Sequence, residues 1–291
     1  MRNLVVLSAF LAACGTPSRG TGGGDGSTGG DATASGDAPD NGCGGIANCY
    51  SVYAHSDGTL YEINLATKAL NTIGPFNAPH VGGGSTPDVI TDLAVAPDGT
   101  IWAVSETALY TASATDGHVT AKGSLSACGS RGVALTFTAA GKLYTGDFKG
   151  AICEIDVTGA TPVVGAPVTL SNGMALSGDL VAVGDGTVFG TLYKLSDNPG
   201  KATQLSNVLG KIDLTSGQVT QLGPTGYPKL FGTSFANGKV IGFTHDGTGD
   251  VVALDPTSGT GTLFATFKDP ATQTGISFAG AGVNALVSII Q

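Results

Sequence analysis

The sequence predicts an all-β protein, a β-propeller in which five blades are favoured over six. Three observations lead to this prediction. The 291-residue chain has 47 glycines and only 12% charged residues, which suits short strands and tight turns better than long helices. One hairpin pattern recurs five times along the chain. Its copies begin 42–57 residues apart, close to the spacing of four-stranded propeller blades.

The recurring hairpin consists of an apolar strand, a turn rich in Thr, Ser and Gly, and a second strand. Its copies are LYEINLATKALNTIG (60–74), LYTASATDGHVTAKG (109–123), ICEIDVTGATPVVG (152–165), LGKIDLTSGQVTQLG (209–223) and VVALDPTSGTGTLFA (251–265). Asn or Asp side chains at the strand end can accept backbone N–H bonds within the turn. In sequence order they are Asn64, Asp156, Asp213 and Asp255. Each copy is therefore predicted to be a β-hairpin.

Further strand pairs lie between the hairpins, as in ITDLAVAPDGTIWAVS (90–105), so each unit has four strands. The C-terminal GISFAGAGVNALVSII (275–290) is predicted to supply an inner pair to the first hairpin, which lacks one. This composite blade would close the ring and leave no unpaired sheet edge. Six blades are the alternative, because segments 50–56 and 283–290 compete for one strand position and 171–207 holds surplus strand. A two-sheet sandwich accounts less well for the regular period.

The first 13 residues are predicted to be a lipoprotein signal peptide. Arg2 provides a positive charge, and residues 4–11 form an apolar core too short to span a bilayer. Leu11-Ala12-Ala13-Cys14 resembles the bacterial lipobox, which implies acylation of Cys14, including by palmitate, and anchoring in the cell envelope. Gly15 after this cysteine favours the outer membrane. An ordinary secretory peptide with an incidental cysteine is the alternative.

Residues 14–42 are predicted to be a flexible tether, because after Cys14 they are rich in Gly, Ser, Thr and Asp and contain no large apolar side chain. Such a tether spans about 30 Å on average. The propeller domain is then expected at 43–291. A formal net charge of −9 argues against nucleic acid and anionic lipid surfaces as partners. We expect a monomer that meets the membrane through its lipid anchor.

Four further cysteines suggest disulfides in an exported protein. Cys43 and Cys49 enclose a short glycine-rich loop, and Cys128 and Cys153 both belong to the third repeat. These two pairs are the expected bridges, although four cysteines allow three connectivities. A zinc site is the alternative, but the chain has no CxxC and its histidines are scattered, so no metal site is predicted.

In a propeller, the loops from each fourth strand to the next inner strand gather around one mouth of the axis. This mouth is the default ligand site by geometry. The candidate ligand-binding residues in these loops are His80, Asp88, Arg131, Asn172, Tyr227, Lys229, Asp269 and Gln273.

The repeats resemble NHL, YVTN and gluconolactonase-type propellers, in which a turn such as Pro97-Asp98-Gly99-Thr100 before Ile101-Trp102 is typical. Ser171-Asn172-Gly173-Met174-Ala175 is similar to the Pro-Asn-Gly-aliphatic-Ala segment of gluconolactonases. In that family the Asn binds a divalent metal at the axis. Here Ser replaces the Pro, and the family's other metal ligands and catalytic Asp have no match.

The sequence contains no G-x-S-x-G, H-E-x-x-H or phosphate-loop signature, and no cofactor is predicted. We therefore predict a non-catalytic module of the cell envelope, at the periplasmic face or the cell surface, that binds a protein, peptide or glycan. A metal-dependent hydrolase or lactonase at the axial mouth is the alternative, and the resemblance around Asn172 implies it.

Overall fold

The computed structural model describes residues 51–81, 86–125, 128, 132–197 and 206–286, which form 21 β-strands and one 3-10 turn. The predicted signal peptide and tether lie outside the described residues, and so do Cys14, Cys43, Cys49 and Arg131. Within the described part of the chain, no helix is long and apolar enough to cross a membrane.

The strands are short and follow one another through tight turns. In chain order they are β1 (Ser51–His55), β2 (Thr59–Asn64), β3 (Ala69–Pro75), β4 (Ile90–Val95), β5 (Ile101–Ser105), β6 (Ala108–Ala112), β7 (Val119–Ser124), β8 (Ala134–Phe137), β9 (Leu143–Gly146), β10 (Ala151–Asp156), β11 (Val163–Val164), β12 (Val168–Thr169), β13 (Met174–Ala182), β14 (Val188–Lys194), β15 (Ser206–Ile212), β16 (Val219–Pro228), β17 (Leu230–Ala236), β18 (Lys239–Thr244), β19 (Asp250–Leu254), β20 (Gly261–Thr266) and β21 (Gly280–Gly282). The 3-10 turn is Ser171–Gly173.

These strands form five antiparallel sheets, so the prediction of a five-bladed β-propeller is confirmed. Blade 1 has the order β21-β1-β2-β3, and blade 2 has β4-β5-β6-β7. Blade 3 has β8-β9-β10, with β11 and β12 both paired to β10 as two halves of its outer strand. Blades 4 and 5 are β13-β14-β15-β16 and β17-β18-β19-β20.

Blade 1 is the composite blade, and the segments that form its strands differ from those that the sequence predicted. Among the described residues of the C-terminal segment, which end at 286, one strand, β21, joins this blade where an inner pair was predicted. The second position belongs to β1, where Tyr53 lies opposite Gly282 and His55 opposite Gly280. The segment at 50–56 therefore extends the first hairpin to three strands, which removes the competition that suggested a sixth blade.

The inner strands close into a ring around the axis. Each of β4, β8, β13, β17 and β21 contacts the inner strands of the two neighbouring blades. Phe278, just before β21, is fully buried and meets the edges of two rings, Tyr61 of blade 1 at 6.4 Å and Phe243 of blade 5 at 5.4 Å between centroids. This aromatic contact joins the last blade to the first.

The turns between third and fourth strands follow the pattern that the repeats predicted. Asp213 Oδ1 accepts the backbone N–H groups of Thr215 and Ser216, at 2.8 and 3.0 Å. Gly217 then adopts φ +73° and donates its N–H to the Asp213 carbonyl. Equivalent side-chain bonds are formed by Asn64, Asp156 and Asp255.

A disulfide joins Cys128 to Cys153, with 5.9 Å between the Cα atoms. Cys153 lies in β10 of blade 3, and Cys128 lies in the connection that leads from blade 2 into blade 3. The bridge therefore ties this connection to the blade that follows it. Closing a loop of this length is worth on the order of 3 kcal/mol.

We expect deletion of residues 275–291 to abolish the cooperative thermal transition. The deletion removes β21 and the buried ring of Phe278, so blade 1 loses its inner strand and two sheet edges face the gap. Loss of a buried Phe alone costs about 3–5 kcal/mol. Differential scanning calorimetry measures the effect, with deletion of 1–42 as the control that should leave the transition unchanged. A 275–291 deletion that melts at the parent temperature would show that the ring does not need this strand.

Candidate functional site

One end of the propeller axis opens into a cavity of about 130 Å³, here called the axial mouth. All five blades contribute to it. The turns between second and third strands provide four of its residues. The others lie at or near the starts of the inner strands, except Gly178 in the middle of β13. The full lining is Asp57, Val89, Ile90, Thr91, Glu106, Val133, Phe148, Gly178, Phe231, His245 and Ala279.

A larger cavity of about 530 Å³, here called the side cavity, lies beside the axial mouth. Its walls are the turn after β1 and the connection from β3 to β4, and they include Phe76, His80 and Asp88. Asp57 and Val89 line both cavities, so the two spaces share a wall. Together they form a continuous polar and apolar surface on one face of the propeller.

The side cavity contains a hydrogen-bonded pair that the sequence placed among the candidates. His80 Nδ1 lies 2.6 Å from Asp88 Oδ1, and the Asp88 side chain is only 8% exposed. Asp88 Oδ2 accepts the hydroxyls of Tyr110 and Ser105. Burial raises the pKa of Asp88, but the hydrogen bonds from Tyr110, His80 and Ser105 outweigh it and leave the pKa below its ordinary value. Asp88 therefore stays ionised and orients the half-buried imidazole of His80.

The other candidates do not join this pair. Asn172 is exposed in the 3-10 turn with φ +60°, and its side chain bonds Ser171 rather than lining the mouth. Tyr227 packs against the core near the end of β16, and exposed Gln273 bonds the Pro270 carbonyl. Lys229 and Asp269 line neither cavity. A ligand-binding role for Asn172, Tyr227 and Gln273 stays a prediction, as it does for Arg131 outside the described residues.

Sequence reasoning missed Asp57, Phe148, Phe231 and His245. Asp57, Phe148 and His245 lie in the turns between second and third strands, one or two residues after the second strand ends. The repeat contains this signal, because aligning the blades brings Asp57, Glu106, Phe148 and His245 to equivalent places. The prediction from the sequence placed only residues of the long loops after the fourth strands at this mouth.

Below the mouth, two buried aspartates meet at the axis and form the axial carboxyl pair, Asp92 of β4 and Asp179 of β13. Asp92 accepts the backbone N–H groups of Leu135 in β8 at 2.6 Å and of Ala281 in β21 at 3.2 Å. Asp179 accepts the N–H of Thr233 in β17 at 2.7 Å. The pair thus accepts hydrogen bonds from the inner strands of three blades, and its two residues belong to the inner strands of the other two.

The two buried carboxyl groups interact with each other, and the pKa of each lies above its ordinary value. Burial raises the pKa of Asp92 well above its ordinary value, and the neighbouring Asp179 charge raises it further. Burial also raises the pKa of Asp179, to about 7, while hydrogen bonds from Asp92 and Thr233 limit the rise. A proton on either carboxyl group removes the repulsion that two adjacent buried carboxylates would have.

Among the described residues, no three His, Cys, Asp or Glu side chains are grouped so that they could hold a metal ion. Asn172, which the gluconolactonase resemblance linked to a metal, lines neither cavity. The described residues thus give the hydrolase alternative no preformed ligand set.

Neither a protein-family model nor a curated protein matches the sequence. A chain from the crystal structure of a nidogen–laminin complex aligns with a TM-score of 0.48 and 14% identity, over 80% of this chain and 97% of that chain. A putative TolB from Agrobacterium tumefaciens aligns with a TM-score of 0.45 and 13% identity, over 79% and 80% of the two chains. Neither similarity bears on function.

We expect the axial carboxyl pair to make stability fall as pH rises between about 5 and 7. Both native pKa values lie above those of the unfolded chain, so the native state keeps protons that the unfolded state has released. The contribution of Asp179 is complete below about pH 4 and is lost as pH rises through about 7. His55 acts in the opposite direction, because burial lowers its pKa to about 4. Comparison with a variant that leaves His55 intact and changes only Asp179 isolates the contribution of Asp179.

The variant is Asp179→Asn, which cannot titrate, with exposed Asp98→Asn as the matched control. Urea unfolding at half-unit pH steps should show the wild type losing about 1 kcal/mol per pH unit more than Asp179→Asn between pH 5 and 7. Asp98→Asn should follow the wild-type slope, since the pKa of Asp98 is lowered and lies outside this window. Equal slopes for wild type and Asp179→Asn would contradict a raised pKa of Asp179.

Proposed function

We propose that the protein is a lipid-anchored binding module of the bacterial cell envelope, which holds its ligand on the face that carries the axial mouth and the side cavity. The observation that carries this proposal is the shared wall of the two cavities. A ligand can place one group in the small mouth and its larger part in the side cavity. Sites of this kind, concave with few polar groups, are typical of ligand binding.

The exposed apolar side chains support the same face of the propeller as the binding face. Among the described residues, three large hydrophobic side chains are more than half exposed, and Val89 at 56% is the one that borders both cavities. Val163 and Leu263 lie on outer strands of blades 3 and 5. A ligand held on this face would also cover the exposed Val89 side chain.

The envelope location rests on the N-terminal sequence. The lipobox-like Leu11-Ala12-Ala13-Cys14 and the glycine-rich segment after it fit an acylated anchor and a tether. Gly15 after the cysteine favours the outer membrane, and the proposal includes this location. A rigid disc on a tether can meet partners near the membrane without being fixed to it.

We expect Cys14→Ala to release the protein from membranes, because residues 15–42 contain no other apolar anchor. Fractionation and metabolic labelling with a fatty acid measure the effect. Wild-type protein should be labelled and sediment with membranes. A Cys14→Ala protein that still takes up the label would contradict the anchor.

We expect a photo-crosslinking amino acid at position 89 to trap a discrete partner in intact cells. The matched control is the same amino acid at position 263, where Leu263 is 54% exposed on β20 of blade 5. Cross-linked species should appear at 89 and not at 263. No product at 89, or the same products at both positions, would contradict binding at this face.

A further inference from the structure

The fourth strand of blade 3 differs from those of the other blades. Its two halves, β11 and β12, contain 2 residues each, whereas β3, β7, β16 and β20 contain 6–10 residues. Residues 165–167 interrupt it, although the Gly165 N–H still donates to the Glu154 carbonyl of β10 at 2.8 Å. Departures from an otherwise regular pattern occur preferentially at functional or strained sites.

A shallow groove opens beside this interruption, here called the flank groove. It consists of two cavities, of about 510 and 590 Å³, which share Tyr144, Leu214 and Thr215 as lining residues. Blade 3 forms one wall, which includes Gly165, and blade 4 forms the other, mainly through the turn between β15 and β16. The described residues that line the groove differ from those of the axial mouth and the side cavity. Each cavity has the volume of a small-molecule site.

The smaller cavity contains a carboxylate, an ammonium and a phenol in mutual contact. Glu154 Oε2 accepts the Tyr144 hydroxyl at 2.8 Å and Lys142 Nζ at 3.0 Å. Hydrogen bonds from Lys142 and Tyr144 lower the pKa of Glu154, so this carboxylate is ionised at neutral pH. The side chains of Lys142 and Glu154 are 57% and 43% exposed, so a ligand can reach both. A carboxylate has about four acceptor sites, which leaves room for a donor from a ligand.

Apolar side chains of the same cavity border this polar group. Ile152 of β10 and Val168 of β12 lie opposite each other in the strand pair and both line the cavity. Val163 is 64% exposed at its edge. Leu214 and the ring of Tyr144 are half-buried and pack against the apolar core between blades 3 and 4. A ligand in this cavity therefore meets a donor, an acceptor and methyl groups together.

The larger cavity, which also borders Tyr144, presents hydroxyl and amide side chains. They are those of Thr138, Thr187, Thr215, Gln218 and Thr220. The last three of these residues are exposed. A hydroxyl group both donates and accepts, and a primary amide offers two donors and an acceptor. Hydroxyl groups of a ligand therefore find complementary partners in this cavity.

We propose that the flank groove binds an acetamido sugar of a glycan. The acetamido N–H donates to Glu154, its carbonyl accepts from Lys142, and its methyl group packs against Ile152 and Val168. The sugar ring lies against Tyr144, and the next sugar of the chain places its hydroxyl groups in the larger cavity. This inference goes beyond the proposed function, because the groove and the face that carries the axial mouth have different lining residues.

A sugar amide fits this groove better than a peptide amide. Both carry an N–H donor and a carbonyl acceptor, and both can carry a methyl group. A sugar adds ring hydroxyl groups, which match the threonine and glutamine side chains of the larger cavity. Extended peptides instead bind through a ladder of main-chain hydrogen bonds to a sheet edge, and the edge of blade 3 is interrupted at residues 165–167.

The first test is an NMR titration with three matched probes. Diacetylchitobiose should bind with a dissociation constant on the order of millimolar, as expected for a small uncharged ligand in a shallow groove. Cellobiose has hydroxyl groups in place of the acetamido groups, so it should bind at least about tenfold more weakly. Acetyl-alanine methylamide, which offers peptide amides without sugar hydroxyls, should also bind at least about tenfold more weakly.

Each contrary result of this titration overturns a stated part of the proposal. Equal binding of cellobiose would overturn recognition of the acetamido group, and tighter binding of the peptide amide would replace the glycan with a peptide. The backbone signals of Glu154 and Gly165 should shift with diacetylchitobiose, whereas those of Asp57 and Val89 should not. Shifts at Asp57 and Val89 alone, or no binding of diacetylchitobiose, would overturn the site.

The second test uses two variants and a matched control. Lys142→Met removes the donor but keeps the length of the side chain, and Glu154→Met removes the acceptor. Each should weaken binding of diacetylchitobiose about fivefold. The control is Lys239→Met, which breaks a similar exposed pair with Asp255 at 2.8 Å, away from both cavities, and should leave binding unchanged.

All three variants should fold, because exposed ion pairs contribute little to stability. Their thermal melts check this, and a variant that melts with the wild type tests the contact itself. Unchanged binding in both Lys142→Met and Glu154→Met, or the same loss in Lys239→Met, would overturn the proposed contacts.

Discussion

The contact between the carboxyl groups of Asp92 and Asp179 is the point at which all five blades meet. These side chains stand on the inner strands of blades 2 and 4, and their carboxyl oxygens bind N–H groups of blades 1, 3 and 5. Two buried carboxyl groups would be costly without partners, but here backbone N–H donors from three blades satisfy them.

Around this centre, one local turn recurs from blade to blade. A short polar side chain ends the third strand and binds the next N–H groups, and in four of the five blades a residue with positive φ then reverses the chain. Gly117, Gly217 and Gly259 occupy the reversing position in three turns, whereas Lys68 occupies it in blade 1. The same turn recurs outside the blades at Asp269, where Gln273 has φ +60°. Gln273, which the sequence predicted as a ligand-binding residue, thus occupies the positive-φ position of a structural turn.

The candidate site was only partly predictable from the sequence. His80 and Asp88 were recognised as polar residues of a long loop, and the structure adds that Tyr110 and Ser105 fix Asp88 in place. Four side chains of the axial mouth come instead from short turns in four different blades. Their convergence depends on the number of blades and on how far each strand twists, and neither quantity is encoded in a local motif.

The sequence by itself determined the repeat, the strand-and-turn pattern of each hairpin, the location of the ring closure in the two chain ends, and the acidic character of the surface. These features are local, because alternating apolar residues, Asx turns and glycines act within a few residues of one another. Only the tertiary structure decided that the described part of the C-terminal segment gives one strand, β21, and that Asp92 and Asp179 lie together in the core. The pKa of each aspartate depends on burial and on a partner 87 residues away in the chain, and a sequence pattern carries no information about either.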